Sequence, residues 1–359
     1  MIRRNILILL LTTVSFTLFG QSDDIWTAFW NEDTTLIGYK DKNGVIKIEP
    51  RFSGLSNMGK FENIIGVIEE INETWSSYYL TKAGKIVGRS SLHFFDFKVD
   101  CENEGFIRFR DNEMDKVGMF NRNGDIAIPA EYNDMTRIKN GMAIAIKGAE
   151  KHWKGEIYSW VGGEEVLIDT LNHVLIENFS YTDDLSFFSL EKTSTPHADT
   201  IRKSFLAKDG NYYSFIDFEK EFEQWLKKDL IVDLTSEKLI DNSYDTITWR
   251  SSTGWTGTDR RKFVTDNFFV LRNGMSEILN PECKFFISSD SFFSFMHDDN
   301  ESEKYYNNCN EFKDWIYPAM KIVISHGEKK DYSQNHYTFL RTDDGYKLIS
   351  VSIRNDEIK

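Results

Sequence analysis

The sequence is poor in cysteine, in positive charge and in long apolar runs. Its three cysteines, Cys101, Cys283 and Cys309, give no disulfide framework for a chain of 359 residues. No Cys-x-x-Cys occurs, so neither a structural zinc site nor a dithiol redox motif has support. Cys283–Cys309 is the one pair to entertain, because both fall in the same half of the chain; free thiols are at least as well supported. Lys and Arg number 43 against 57 Asp and Glu, a formal net charge of −14. An acidic surface repels phosphate backbones, which argues against a nucleic-acid partner. Beyond the N-terminal twenty residues no segment approaches the roughly 18 uninterrupted apolar residues of a membrane span.

Catalytic signatures are also missing. The seven histidines, His93, His152, His173, His197, His297, His326 and His336, show no His-Glu-x-x-His or other ligand spacing. There is no Gly-x-Ser-x-Gly elbow and no phosphate-binding glycine loop. Asp290 with His297-Asp298-Asp299-Asn300-Glu301 gathers oxygen atoms but lacks the spacing of a calcium loop, so a solvated acidic turn is the expectation. Cys309, His326 and His336 share one half of the chain, yet spacing gives no reason for them to meet. The expectation is a chain that is not an enzyme, with no catalytic residues, no metal and no cofactor.

What is present begins with an export pattern. Arg3 and Arg4 precede an apolar stretch from Ile6 to Phe19, shorter than a membrane span, and Leu18-Phe19-Gly20-Gln21 is a cleavage zone. Residues 1–20 therefore read as a secretory signal peptide with cleavage near Gly20, which implies a periplasmic or secreted protein. Removing Arg3 and Arg4 makes the mature chain more acidic still.

The organising feature is a repeat. Ile37-Gly38-Tyr39-Lys40-Asp41-Lys42-Asn43-Gly44, followed by Ile46-Lys47-Ile48-Glu49-Pro50-Arg51-Phe52, returns as Val117-Gly118-Met119-Phe120-Asn121-Arg122-Asn123-Gly124, followed by Ile126-Ala127-Ile128-Pro129-Ala130-Glu131-Tyr132. A worn copy from Tyr79 to Val87 carries Gly84, so the turn glycines Gly44, Gly84 and Gly124 recur every 40 residues. Each copy reads as a β-hairpin. Asp or Asn opens the turn by bonding local backbone, Gly supplies a positive φ, and alternation follows. Pro50 and Pro129 are expected to stop the second strand, since proline donates no ladder bond. Phe52 and Tyr132 are expected to pack over the strand end. A further apolar strand follows each hairpin, beginning near Phe61, Glu104 and Asn140.

This pattern resembles the WG (KWG) repeat family, frequent in bacterial secreted proteins. Gly38 and Gly118 match the family glycine, Asp41/Gly44 and Asn121/Gly124 the turn, and Pro50/Phe52 and Pro129/Tyr132 the ending. The family tryptophan is replaced by Ile37 and Val117, the second proline sits one place early, and the middle copy lacks the paired glycine and the proline. The resemblance covers residues 34–148 and extends weakly to about 180. It implies an all-β interaction module without a general ligand or activity.

Around this core, Trp26 and Trp30 suit either one helical face or a short strand, and read as a cap on the first unit. Residues 149–190 form a further unit in which Asp169 and Asn172 keep the turn spacing. Its insertion, from Ala149 to Gly163, carries Trp153, Tyr158 and Trp160, an aromatic patch that packing under a loop would also explain. Residues 191–213 are polar and read as a linker, in which Ala207-Lys208-Asp209-Gly210 is a poor last hairpin turn. Residues 214–359 lose the repeat. Asp217 caps a helix burying Phe218, Phe222, Trp225 and Leu226; a second helix runs from Arg260 to Leu271 and stops at Asn273-Gly274. Phe285–Phe295 surrounds a short helix, Met320–Ile324 is a strand, and Tyr337–Ile353 is a hairpin about Asp344-Gly345. The order loosely resembles nuclear-transport-factor-like domains.

The predicted architecture is an N-terminal all-β array of stacked or twisted hairpins (residues 21–190) followed by a C-terminal α+β domain (residues 214–359). The function that follows is a non-catalytic scaffold for an envelope or secreted protein partner. A carbohydrate or peptidoglycan ligand stacking on Trp153 and Trp160, or on Trp249 and Trp255, is the alternative, followed by an enzyme in the C-terminal domain.

Overall fold

A computed structural model describes residues 25–56, 59–95, 97–180, 184–251, 254–290, 302–327, 332–353 and 358. The signal-peptide segment and the acidic stretch 297–301 lie outside the described residues. Strands β1 (Trp26–Trp30), β2 (Leu36–Lys40), β3 (Ile46–Ser53), β4 (Lys60–Phe61), β5 (Ile64–Ile71), β6 (Thr74–Thr81) and β7 (Ile86–Val87) form an antiparallel sheet in the order β4-β1-β2-β3-β5-β6-β7. Trp26 and Trp30 thus adopt the strand alternative, and the Trp26 ring meets Phe61 edge-on at 5.4 Å. A short ribbon, β8 (Phe94–Phe95) with β9 (Lys98–Val99), leads to the sheet β10 (Phe106–Asp111), β11 (Lys116–Asn121) and β12 (Ile126–Tyr132). Then come β13 (Asp134–Met135), β14 (Met142–Lys147), β15 (Glu150–Lys154), β16 (Ile157–Val161), β17 (Glu164–Asp169) and β18 (Val174–Ile176). Of these, β13-β14-β17-β18 make one sheet and β15-β16 a separate ribbon.

One turn recurs through the array. Asp41, Thr81, Asn121, Asp169 and Ala207 each donate N–H to the carbonyl four residues on at 2.8–3.0 Å, and the residue three on donates back at 2.8–3.1 Å. That third residue is Gly44, Gly84, Gly124, Asn172 or Gly210, with φ between 66° and 84°, a region open to glycine and, at some cost, to asparagine. The side chains of Asp41, Asn121 and Asp169 each accept two backbone N–H bonds inside the turn, and Thr81 accepts one from Lys85. The Ala207–Gly210 stretch is therefore a fifth turn of the same kind, with Asp209 accepting from Asn211 in place of the missing first side chain.

The prolines act differently from expectation. β3 runs through Pro50 and β12 through Pro129; neither strand stops there. Ile37 pairs with Phe52 and Tyr39 with Ile48, so Gly38 alone faces Glu49, Pro50 and Arg51. Likewise Val117 pairs with Tyr132 and Met119 with Ile128, leaving Gly118 opposite Pro129, Ala130 and Glu131. Each is a β-bulge, where the extra residues leave the ladder and a missing N–H costs nothing. This also explains why the proline can shift by one place between copies. Phe52 and Tyr132 are buried where the strands pair again.

The core is a chain of clusters, each shared by neighbouring units, as a repeat array requires. Ile37, Tyr39, Phe52, Phe61, Val67 and Tyr78 form the first, and Ile64, Tyr79, Ile107, Phe109 and Phe120 the next. Val117, Met119, Ile128, Tyr132 and Val166 follow. The stretch 191–213, expected as a linker, falls within and between β19 (Leu185–Thr193), β20 (Arg202–Leu206) and β21 (Tyr212–Asp217), a sheet ordered β19-β21-β20. Its Phe187, Tyr213 and Phe215 share a cluster with Met142, Ile144 and Leu167 of the preceding unit.

The C-terminal half adds helices. α1 (Phe218–Trp225) begins at Asp217, whose carboxylate accepts the Lys220 N–H, a cap worth about 1 kcal/mol. Phe218 and Phe222 are buried as the spacing predicts, and Leu226 continues the stripe in a π-helical turn over 226–230. α2 (Ser236–Asp241), β22 (Ser243–Ser251), β23 (Gly254–Asp259), α3 (Arg260–Ser276), β24 (Lys284–Asp290), β25 (Ala319–His326), β26 (Ser333–Thr342) and β27 (Gly345–Ser352) follow. Their sheet is ordered β23-β22-β27-β26-β25-β24, antiparallel except where β22 meets β27. α3 does not stop at Asn273-Gly274. A Cβ at Gly274 would lie 2.1 Å from the Tyr337 hydroxyl, so this glycine serves close helix–sheet approach. Residues 284–290 form a strand where a short helix was expected; 291–295 lie outside the described residues. Phe222, Phe263, Leu271, Met275, Ile322, Phe339 and Tyr346 fill the space between helices and sheet.

Candidate binding surfaces

The insertion in the fourth unit is a β-hairpin that stands off the array. β15 and β16 pair with each other, and among the described residues with no third strand. Trp153 lies opposite Tyr158 and Lys151 opposite Trp160, so these four share one face. The rings form a ladder, with centroids 4.9 Å apart for Trp153–Tyr158 and 5.4 Å for Tyr158–Trp160. Lys151 Nζ sits 4.4 Å from the Tyr158 centroid and 2.6 Å from Asp115, and Trp160 Nε1 donates to Asp134 at 3.2 Å. Those contacts hold the base of the ladder against the third unit. Trp160 and Tyr158 are half-buried, whereas Trp153 remains 57 % exposed. The opposite face carries Ile157 and Val161, 77 % and 54 % exposed. The sequence singled out the three aromatics but not these two aliphatics, although their alternation with Tyr158 and Trp160 was there to read.

A second cluster lies where the connectors into β5, β10 and β14 converge. Glu102 accepts Asn63 N–H and Ile64 N–H, both at 3.0 Å, and Glu104 accepts Asn140 N–H at 2.6 Å and Gly141 N–H at 2.8 Å. In the same connector Asp100, fully buried, receives Arg108 at 2.7 and 3.0 Å and Arg137 at 2.8 Å. Burial alone would push the Asp100 carboxyl up. The two guanidinium groups outweigh it and hold the group well below the usual carboxylate range. Sequence reading missed this cluster, because no local spacing marks residues that meet only through the repeat.

Cys309 also comes to this end. It is bonded to Cys101 across a separation of 208 residues and Cys283 is free, so the one pairing entertained, Cys283–Cys309, is not the one formed. The segment around Cys309 packs on its own domain through Tyr305 and Tyr317 and also reaches across to the array. Cys309 is therefore no thiol partner for His326 or His336. Cys283 and His326 do line one open cleft of about 430 Å³ with Glu277, but burial, then the Glu277 charge, push the Cys283 thiol up and disfavour the thiolate a nucleophile needs. Trp249 is half-buried against Phe263, its indole N–H on Thr258, so it offers no stacking platform; Trp255 is exposed. Among the described residues no group of three or more His, Cys, Asp or Glu is placed to hold a metal ion, and no helix is long and apolar enough to cross a membrane.

Comparison with protein families finds one matching model, the WG containing repeat, over residues 118–149. The chain carries a WG repeat. The match begins at the bulge glycine Gly118, runs through the Asn121–Gly124 turn and ends in the connector after β14, so the family unit and the third structural unit coincide. The other WG-like units are tied to it by the shared turn and, in the first, by the same bulge. No curated protein and no solved structure matches the chain. The WG match is compatible with an interaction module built on repeats.

Proposed function

We propose that this chain is an exported, non-catalytic scaffold that binds a protein partner of the cell envelope or exterior through the β15–β16 hairpin. One observation carries the reading. A two-stranded ribbon is marginal alone in water, yet this one is braced at its base and exposes Trp153, Ile157 and Val161 on both faces. Aromatic and aliphatic anchors on a rigid frame are what a protein interface uses. The Cys101–Cys309 bond supports an oxidising compartment, in keeping with the N-terminal export pattern. The raised Cys283 thiol and the filled C-terminal core support a non-catalytic role.

The double substitution Trp153→Ala, Ile157→Ser is expected to weaken partner binding by roughly 100-fold, since each lost anchor costs about 1–2 kcal/mol. The array core should stay folded, because both side chains are mostly exposed and only the Trp153–Tyr158 ring contact is lost. Binding measured with the crosslinked and purified partner checks this; unchanged affinity overturns the hairpin as the site. Quenching of Trp153 fluorescence by glycan fragments, with no protein captured, would replace the protein partner by a carbohydrate.

A further inference from the structure

Residues 307–311 reproduce the array's own turn within the C-terminal domain. Asn307 N–H donates to Glu311 O at 2.8 Å, Asn310 N–H returns to Asn307 O at 3.1 Å, and Asn310 has φ 58°. Asn307 Oδ1 accepts Cys309 N–H at 2.8 Å and Glu311 N–H at 2.9 Å, as Asp41 and Asn121 do in their units. This turn rests on the connectors of three successive units. Asn308 O accepts Lys60 N–H at 2.5 Å, and Asn308 Nδ2 donates to Glu62 at 2.8 Å. Cys309 is bonded to Cys101, Glu311 takes both arms of the Arg137 guanidinium, and Lys139 Nζ lies 5.4 Å from the Trp315 ring. The fit is close. A Cβ on Gly59 would lie 1.6 Å from Asn308 O, so only glycine admits the turn.

We propose that the converging end of the array is a peptide-binding site for an acidic, asparagine-rich turn, and that residues 307–311 are its resident occupant, latched by Cys101–Cys309. The glycine cradle, the backbone donor at Lys60 and the guanidinium of Arg137 recognise respectively a close backbone, its carbonyl and a carboxylate. Each is a determinant of a turn-shaped ligand with a terminal Glu, and none requires the rest of the C-terminal domain. The latch opens by reduction. A dithiol gives two electrons and two protons, becomes a disulfide, and leaves two thiols on Cys101 and Cys309. Hydrogen bonds, the Arg137–Glu311 pair and the Lys139–Trp315 contact then hold the turn on the array. This proposal is independent of the β15–β16 hairpin.

Two measurements on the full chain test it. In the first, deuterium uptake is followed over 306–313 with and without a dithiol. Release of the latch is expected to raise it roughly tenfold while β25–β27 are unchanged. In the second, Cys309→Ser with Glu311→Lys empties the site by removing the bond and opposing Arg137. A synthetic peptide spanning 303–317, with serine at the cysteine, is then added. It should bind the double variant and not the oxidised parent, and a further Gly59→Val should abolish that binding. Uptake that ignores reduction overturns the latch. A folded double variant that ignores the peptide, or binding that survives Gly59→Val, overturns the site. If the double variant does not fold, the same peptide is offered to the reduced Glu311→Lys protein, and the same outcomes decide.

Discussion

Asp100→Asn is expected to lower stability by about 3 kcal/mol, the lower end for a broken buried pair, because it strips half-buried Arg108 of its counter-charge and leaves Arg137 only Glu311. The carboxylate is the one group that both guanidinium groups share, and Arg108 also donates to Met135 O at 2.8 Å while Arg137 reaches Glu311. The substitution keeps shape and size but turns one acceptor oxygen into a donor NH2, so the loss combines the counter-charge with hydrogen bonds from the two arginines. Urea unfolding of the oxidised protein measures it; a change under 1 kcal/mol would show that the cluster is solvated in solution. The same group fixes a pH dependence. Its folded pKa lies below the unfolded value of about 3.9. Its contribution is therefore complete above that value and is lost as pH falls through it toward the lower folded pKa. The parent should lose stability steeply below about pH 4, and the Asn variant should show a shallower loss.

Gly118→Ala is expected to cost about 3 kcal/mol, at the upper end of overpacking effects. The new Cβ would stand 2.6 Å from Ile128 O and 2.8 Å from Ala130 N, both backbone atoms of the bulge that cannot rotate away. Either β11 and β12 separate or the bulge is lost, and loss of the bulge would disturb the pairing of Val117 with Tyr132. Gly44→Asn is the control. Its φ of 80° is strained for most side chains, but a Cβ there meets nothing, and Asn172 holds the same place in the fourth unit. Its cost should stay near 1 kcal/mol or below. Thermal unfolding of both variants separates the two glycine roles; equal losses would contradict them.

These contrasts mark what the sequence made legible. The turns were readable because their chemistry is local: Asp41 or Asn121, then Gly44 or Gly124, specify one geometry within five residues. The bulge was not, because Gly38 and Pro50 act on each other across strands, and proline alone suggests a strand end. The fifth unit was obscured because Ala207 lacks the capping side chain that marks the others. The helix at Phe218 was clear from its stripe and cap. The length of α3 was not, because Gly274 answers to Tyr337, far along the chain. In the candidate sites, Trp153, Tyr158 and Trp160 stood out by composition, and their placement on one braced face needed the pairing register. Asp100 and Arg137 meet only through the repeat, and the Cys101–Cys309 bond depends on the fold-back of residues 305–317. Its one sequence signal was the Asn307-x-x-Asn310 spacing of a sixth turn.

The most direct test of the binding account places a photoreactive residue at Ile157 of the full-length protein in cells, with Leu171, 71 % exposed on a turn of the same unit, as the comparison. The account predicts one protein adduct formed at 157 and absent at 171. Adducts of equal yield and identity at both positions, or none at 157, would contradict a hairpin-directed scaffold.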